Sequence, residues 1–340
     1  MDFKWDEIRK RTLAVFSGPH WVHERFASVV AESSMVVPSR ASKRQSAPSK
    51  ALNLLRSASS IPGGYDIYFC EACYYYPAIA KRLHRINGKI INLCGSPLFY
   101  NIWKGIMGKA ESRVLLELFK SVDGMVLEGN YTKEALSALH LRVPTVTSYT
   151  YIKPGRYEAL AGMKADLGTK NIAITATNDI EYKGVDLLLK AMPLINEQDP
   201  AIKLRIIHRN LDMDKIRHLL TPNVGLEEDV EKAFRTTSLY VHPSRGDVFP
   251  IAPLEAMLAG IPTMVSTDTG TKEFVEKVDK KHVLPLEPEA IAGAVLNYFS
   301  STEKQRRGLS AEFREQALQF NEKEQLGRLE REYKELLRSI

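Results

Sequence analysis

The stretch SRGDVFPIAPLEAMLAGIP, residues 244–262, decides how the rest of the chain is interpreted. It follows SLYVHPS, which has the composition of a short buried strand, and it ends in the apolar helix LEAMLAG, stopped by Gly260 and Pro262. The order strand, loop, helix places two carboxylates, Asp247 and Glu255, at the two edges of one turn. Exposed amides at a helix N-terminus favour hydroxyl-rich or anionic ligands. The stretch therefore predicts a ligand site at this turn.

Short apolar strands alternate with helices along the whole chain. The strand segments of the first half are TLAVFSG, YDIYFC, KIINLC, SVDGMVLEG and VPTVTSYTYI. Those of the second half are NIAITATN, LRIIHRN, SLYVHPS, IPTMVST and KHVLPL, and the helices expected between them are VDLLLKAMPLINE, DMDKIRHLL, EEDVEKAF, LEAMLAG and EPEAIAGAVLNYF. Two consecutive runs of this kind predict two doubly wound α/β domains with parallel sheets. Pro, Gly and charged residues interrupt the pattern at 152–166, where we expect the boundary.

Composition indicates a soluble intracellular protein. The chain has 340 residues, enough for two domains, and 44% of them are hydrophobic. No apolar run reaches the roughly 18 residues that span a bilayer. The opening MDFKWDEIRKR has no signal-peptide core, and the 3 cysteines fit a reducing compartment. We therefore expect a cytoplasmic protein.

Basic charge is concentrated in the first half of the chain. Residues 1–165 hold 23 Lys and Arg but 13 Asp and Glu, whereas the whole chain has a net charge of +6. An anionic partner is indicated: a phosphate-bearing acceptor, an anionic membrane surface contacted peripherally, or nucleic acid. The segment RASKRQSAPSK, residues 40–50, is the most basic, and its Ser and Pro content fits a solvated loop equally well. No nucleic-acid-binding motif accompanies it, so we expect no nucleic acid partner.

The loop at 244–262 closely resembles the signature of the retaining glycosyltransferases of family 4, in glycosyltransferase group 1. There, two glutamates at this spacing flank a loop that ends in EAMA-x-G-x-P; here Asp247 replaces the first. The resemblance implies the GT-B fold: two Rossmann-like parallel-sheet domains facing across a cleft, with the C-terminal helix crossing back to the N-terminal domain. It implies an acceptor-binding domain at 1–155, joined by the helix at 320–340, and a nucleotide-sugar-binding domain at 165–319.

The resemblance also implies roles for single residues. Glu255 would accept hydrogen bonds from the donor's ribose, and Asp247 would contact the hydroxyls of the donor sugar. In NDIEYKGVDLLLKAM, Lys183 matches the lysine that neutralises the donor's diphosphate, so Asp247 and Lys183 are the predicted catalytic pair. Backbone amides of the loop would hold sugar and phosphate oxygens; the loop residues are Val248, Phe249, Pro250, Ile251 and Ala252.

The sequence departs from the family pattern at its cations and its glycine-rich loop. The family's arginine falls on Thr177 or Asn178, which makes Asn178 a donor-site candidate without the charge. Arg209 and Arg245 are the candidates to supply that charge. Gly18, after the first strand, stands in place of the glycine-rich loop that approaches the donor phosphates.

The acceptor side matches the family least. Family members often place a histidine after the strand KIINLC, where this chain has Cys94, Gly95 and Ser96. His20 and Glu71 are the acceptor-side candidates. A front-face retaining reaction, in which the leaving phosphate takes the acceptor's proton, tolerates the missing base.

Two motifs with metal or redox character have simpler interpretations. The pair in CEAC, residues 70–73, lacks the context of a redox motif and has no second pair for a zinc site. In DMD, residues 212–214, an Asp is well suited to cap a helix. We therefore expect no metal.

Together these features predict a retaining, metal-independent hexosyltransferase. Its donor is a UDP- or GDP-sugar, its acceptor is a hydroxyl of a glycan or a lipid-linked molecule, and no further cofactor is required. Two alternatives stay open. A sugar-nucleotide epimerase of the same fold would act without an acceptor, and a non-catalytic sugar-nucleotide-binding relative would account for the lost arginine and histidine.

Overall fold

The computed structural model describes residues 4–18, 21–37, 47–177, 179–208 and 211–340. Its contacts divide the chain into two compact units: Met1–Thr150 with Lys323–Ile340, and Tyr151–Glu322. Each unit contains one six-stranded sheet. The domain limits given above stay predictions.

The sheet of the first unit is parallel throughout, in the order β2-β1-β3-β4-β5-β6. Its strands are β1 (Thr12–Phe16), β2 (Ser33–Val36), β3 (Ile67–Glu71), β4 (Lys89–Cys94), β5 (Gly124–Leu127) and β6 (Thr145–Thr147). The helices are α1 (Trp5–Lys10), α2 (Trp21–Val30), α3 (Ala47–Ser59), α4 (Tyr75–Arg82), α5 (Leu98–Trp103), α6 (Lys109–Phe119), α7 (Asn130–Ala138) and the C-terminal helix, Glu322–Ser339. The strand order reverses between β1 and β3.

Apolar periodicity explains how the helices cover this sheet. In α2, the buried residues Val22, Phe26 and Val30 recur at four-residue spacing and so lie on one face. The strands β1 and β5 are buried along their whole length, as expected for parallel strands covered on both faces.

The sheet of the second unit is also parallel, in the order β12-β11-β10-β7-β8-β9. Its strands are β7 (Asn171–Ala176), β8 (Lys203–His208), β9 (Val224–Glu227), β10 (Leu239–His242), β11 (Thr263–Ser266) and β12 (Val283–Leu284). The α-helices are α8 (Pro154–Ala161), α9 (Val185–Gln198), α10 (Val230–Arg235), α11 (Ile251–Leu258), α12 (Lys272–Val278), α13 (Pro288–Ser300) and α14 (Glu303–Ala317); the C-terminal helix of the first unit is α15. The strand order reverses between β7 and β10.

The prediction of two parallel sheets with flanking helices is confirmed, but three local predictions are wrong. The edge strands β2 and β9 are absent from the predicted set. The segment DMDKIRHLL, expected as one helix, forms two short 3₁₀ turns, Met213–Lys215 and Arg217–Leu219. The Asp212 side chain caps the first turn by accepting from the amide of Asp214. Residues 47–50 of the basic segment begin α3 rather than a loop.

Candidate functional site

Two loops lie side by side at the carboxyl edge of the second sheet. One follows β7 and contains Lys183; the other follows β10 and contains Asp247. The strand order reverses between β7 and β10, the position at which an open parallel sheet forms its crevice. Open parallel sheets bind ligands at this position.

Hydrogen bonds join the two loops. The amide of Arg245 donates to the carbonyl of Tyr182 at 2.8 Å, and the Tyr182 hydroxyl donates to the carbonyl of Gly246 at 3.2 Å. The Arg245 guanidinium binds both carboxylate oxygens of Asp186, at 2.8 and 3.0 Å, and the carbonyl of Glu181. The charge of Arg245 is therefore already paired, which argues against Arg245 as the substitute for the missing family arginine.

Lys183, Asp247 and His242 form a compact group within these loops. The Lys183 ammonium lies 2.5 Å from Asp247 Oδ2, and His242 Nε2 lies 3.3 Å from the same oxygen. His242 is fully buried, whereas the side chains of Asp247 and Lys183 keep 12% and 21% of their surface exposed. A small ligand at the crevice can thus reach the ion pair but not the histidine.

The pKa directions fit an ionised Asp247 and a neutral His242. Burial acts to raise the pKa of Asp247, but the hydrogen bond from His242 and the charge of Lys183 outweigh it and hold that pKa below its usual value. Burial lowers the pKa of His242 despite the hydrogen bond to Asp247. His242 Nδ1 is buried, and the described residues offer it no hydrogen-bond partner. The neutral ring therefore donates from Nε2 and orients the carboxylate.

Two glycines allow the loops to approach this closely. Gly184 has φ +72°, and a Cβ there would lie 2.5 Å from the carbonyl carbon of Pro243. A Cβ on Gly270 would lie 2.6 Å from the carbonyl carbon of Val248. The amide of Gly270 donates to the carbonyl of Asp247 at 2.8 Å, so the backbone that carries the carboxylate is fixed from both sides.

Helix α11 begins just after this loop and carries Glu255. The Glu255 side chain is 20% exposed and lies 3.9 Å from Arg156 Nε, while Arg156 also contacts Glu231 at 3.2 Å. Arg156 was not predicted from the sequence, because it is 99 residues away and belongs to the segment expected as a linker.

The loop residues predicted to offer amides differ in what they can do. Pro250 has no N–H, so the prediction of an amide contact from Pro250 is wrong; its place as N-cap of α11 leaves the first donors to Ile251 and Ala252. The side chains of Val248 and Phe249 are buried, and Phe249 packs against the rings of Phe274 and Phe320. These two residues anchor the loop through their side chains.

The remaining predicted residues lie either in the first unit or outside the residues that the structure describes. Gly18 is exposed and follows β1 in the first unit, and Glu71 ends β3 of the same sheet. Asn178, Arg209 and His20 lie outside the described residues. Of the whole predicted set, the structure brings Lys183 and Asp247 into direct contact. The residue missed beside them is His242, whose signal in the sequence is a polar side chain at the end of an apolar strand, just before the acidic loop.

The described residues were also compared with the requirements of a metal site, a reactive thiol and a membrane-spanning helix. Within the described ranges, no group of three His, Cys, Asp or Glu side chains is arranged to hold a metal ion. Cys70 and Cys73 are buried, and burial raises the pKa of both thiols, which makes them poor nucleophiles. None of the described helices has the length and apolar character needed to span a membrane.

The second unit contains the segment that matches a model of a known protein family. Residues 164–316 match the family model of glycosyl transferases group 1. Lys183, Asp247, His242 and Glu255 all fall inside this matched segment. The matched segment lies wholly within the second unit and is less than half of the chain.

Two curated relatives agree with the family match over part of their length. An uncharacterised glycosyltransferase of Methanocaldococcus jannaschii is 33% identical over 125 residues, which are 33% of this chain and 32% of the relative. A phosphatidyl-myo-inositol mannosyltransferase of Mycobacterium tuberculosis is 27% identical over 138 residues, 37% of this chain and 36% of the relative. The aligned part therefore spans about a third of each curated relative.

Solved structures resemble the whole chain. The sucrose-phosphate synthase of Thermosynechococcus elongatus has a TM-score of 0.68 at 13% identity and covers 97% of this chain and 100% of its own. Anabaena HepE in complex with UDP and glucose has a TM-score of 0.69 at 14% identity, and the match covers 97% of this chain and 100% of HepE. The E. coli trehalose-6-phosphate protein bound with UDP-2-fluoro glucose has a TM-score of 0.71 at 14% identity. The match covers 97% of this chain and 99% of the E. coli chain. These likenesses confirm the GT-B fold, with its two Rossmann-like domains.

Proposed function

We propose that the chain is a retaining glycosyltransferase that transfers a hexosyl unit from a UDP- or GDP-sugar to a hydroxyl of a glycan or lipid-linked acceptor. The observation that carries the proposal is the Lys183–Asp247 pair, 2.5 Å apart at the switch point of the second sheet. It lies within the segment that matches group 1. That match favours transfer to an acceptor over the epimerase alternative.

Lys183 is the proposed electrostatic catalyst. Cleavage of the bond between sugar and diphosphate adds negative charge to the leaving group, and a fixed cation at that place stabilises the transition state more than the ground state. The Lys183 ammonium has three donors, so it can keep Asp247 and still bind phosphate oxygens. The N-terminus of α9, which begins two residues later, adds the positive end of a helix dipole. This cation takes the place that a metal ion fills in metal-dependent transferases.

Asp247 and Glu255 are the proposed contacts of the donor's hydroxyls. Lys183 and His242 both bind Oδ2 of Asp247, which leaves Oδ1 to accept from a hydroxyl of the sugar. Glu255, 20% exposed on the first turns of α11, would accept from the ribose. A hydrogen bond to a charged group contributes about 1.5–3 kcal/mol, so each carboxylate alone is worth roughly ten- to a hundredfold in affinity.

The ligands and names of similar proteins support the choice of donor and acceptor. The HepE and E. coli structures hold UDP with glucose and UDP-2-fluoro glucose, which supports a UDP-sugar here. The mycobacterial relative is named for transfer to phosphatidyl-myo-inositol, which supports a lipid-linked acceptor.

The test is nucleotide binding by calorimetry with the full chain. We expect UDP or GDP to bind, and Lys183→Ala to weaken binding by roughly tenfold or more because a charge-assisted contact to phosphate is lost. Lys170→Ala is the matched control, since Lys170 precedes β7 at the opposite edge of the sheet and pairs with Asp199. Failure of both nucleotides to bind, or equal affinity in Lys183→Ala and wild type, would refute the proposal. Turnover that persists with EDTA is the expected result for the metal-independent reaction.

A further inference from the structure

A second cluster of titratable side chains lies at the carboxyl edge of the first sheet. His23 lies on α2, Glu71 ends β3, and Glu128 directly follows β5. His23 Nδ1 is 3.1 Å from Glu71 Oε1, and His23 Nε2 is 2.8 Å from Glu128 Oε1. The strand order reverses between β1, which leads into α2, and β3. The cluster thus occupies the switch point of the first sheet, where open sheets bind ligands.

Counted over the described residues, the cluster carries more negative than positive charge. Burial acts to lower the pKa of His23, but the charges and hydrogen bonds of Glu128 and Glu71 outweigh it and raise that pKa to about 10. Among the residues that the structure describes, His23 is the cation in the ion pairs of both glutamates. One imidazolium therefore faces two carboxylates, whose side chains are 12% and 5% exposed. A buried surplus charge lowers stability, so its retention at a sheet edge indicates a binding role.

The carboxylates also have hydrogen-bonding capacity left over. His23 occupies Oε1 of each, and the described chain gives neither Oε2 a hydrogen-bond partner. The buried Glu128 side chain places its carboxylate against Gly95, which directly follows β4. A Cβ at position 95 would lie 2.8 Å from Glu128 Cδ. Gly95 therefore leaves the room that the Glu128 carboxylate, including its unfilled Oε2, needs.

We propose that Glu71 and Glu128, held in place by His23, form a binding site in the first unit for the hydroxyl groups of an uncharged polyol. His23 is a positioning residue, because its Nε2 is hydrogen-bonded to Glu128 and its Nδ1 lies within ion-pair distance of Glu71. Carboxylate oxygens accept hydrogen bonds and donate none, so they bind groups that donate, as the hydroxyls of a polyol do. The surplus negative charge repels phosphates. Naming this polyol as the acceptor, or the acceptor's headgroup, rests on the proposed function.

The test follows the His23 ring by NMR in the full chain with isotope-labelled histidine. The ring signals are assigned by their loss in His23→Gln. Two probes differ in charge: methyl α-D-glucopyranoside is neutral, and glucose 6-phosphate is anionic. We expect a saturable shift of the His23 signals with the neutral sugar and binding of the phosphate that is weaker by roughly tenfold.

Three variants separate a binding role from a structural one. Gly95→Ala keeps every charge but displaces the Glu128 carboxylate, the movable end of a flexible side chain. It and Glu128→Gln should each weaken binding of the neutral sugar by roughly tenfold or more. Glu117→Gln, in the same unit but half-exposed on α6, is the control and should bind as wild type does. The proposal would be overturned if the neutral sugar caused no saturable shift of the His23 signals, or if Gly95→Ala bound that sugar as tightly as wild type. Tighter binding of glucose 6-phosphate than of the neutral sugar would also overturn it.

Nucleotide calorimetry on the same preparation distinguishes this failure from failure of the proposed function. Binding of UDP or GDP without a sugar-dependent His23 shift would overturn the polyol site alone. A His23 shift without nucleotide binding would support the polyol site and refute the transferase.

Discussion

At the scale of single residues, His242 and His23 both pair with carboxylates but have opposite charge states. His242 has one carboxylate partner and is fully buried, so burial keeps it neutral. His23 has two, and their charges outweigh burial. The number of carboxylates, rather than the depth of burial, therefore decides which ring is a cation. The neutral ring orients Asp247, and the charged ring holds two glutamates.

The raised pKa of His23 predicts a pH-dependent contribution to stability. Its folded pKa is about 10, against an ordinary value of about 6.5 in the unfolded chain. The contribution is complete below the unfolded pKa and is lost as the pH rises through the folded one. We expect His23→Gln to lower the free energy of unfolding by about 2–4 kcal/mol near neutral pH, and by less near pH 10.

Urea unfolding of wild type and His23→Gln across this pH range is the measurement, with His218→Gln as the control on an exposed ring. A difference between wild type and His23→Gln that stays constant with pH would contradict the raised pKa.

The sequence predicts Lys183 and Asp247 as site residues but does not predict the residues that contact them. Both belong to segments with a recognisable pattern, one before an apolar helix and one in the acidic loop. The contacts of His242, Asp186 and Arg245 depend instead on how two loops 64 residues apart meet, which no local pattern encodes. The same holds for Glu128 and His23, which are 105 residues apart.

At the scale of elements, central strands were predictable and edge strands were not. The central strands are continuous apolar runs, as in β4, where five of six residues are buried. The edge strand β2 alternates between exposed and half-buried residues, and only half of its side chains are apolar. The charges of DMDKIRHLL suit helix ends and predict a helix. The segment has too few apolar residues to cover a face of the sheet, and it forms two 3₁₀ turns instead.

The turn into α9 yields a prediction at this scale. Gly184 has φ +72° and abuts the Pro243 backbone, which cannot move as a side chain can. We expect Gly184→Ala to lower the free energy of unfolding by about 2–4 kcal/mol. An alanine would be strained in this left-handed backbone conformation, and its Cβ would overlap the Pro243 backbone, so the two energetic costs add. It should also weaken nucleotide binding, because the neighbouring Lys183 shifts.

The matched control is Gly293→Ala inside α13, where a Cβ meets nothing within 4 Å. It should stabilise the helix by about 0.5–1 kcal/mol. Urea unfolding with nucleotide calorimetry measures both effects, and a Gly184→Ala protein that binds UDP or GDP as wild type does would remove the assigned role of this turn.

At the scale of the whole molecule, the chain's last segment belongs to the first unit although it follows the second in sequence. Helix α15 buries Leu329, Tyr333 and Leu336. The Tyr333 ring meets Phe69 of β3 and Trp5 of α1, with ring centroids 5.7 and 6.1 Å apart. The first sheet therefore depends on a helix that follows the whole second unit in the sequence.

Removal of residues 323–340 should consequently unfold the first unit and spare the second. Burial of three large side chains contributes roughly 5–8 kcal/mol, comparable to the whole stability of a typical domain. We expect hydrogen exchange to lose protection in β1, β3 and β5, while β7 and β10 stay protected and nucleotide affinity is kept, since Lys183, Asp247 and Glu255 all lie in the second unit. Removal of residues 339–340 alone is the control, because it leaves the three buried side chains in place. Equal loss of protection in both sheets would mean that the two units fold as one, and the division of contacts would then not describe how stability is distributed in this chain.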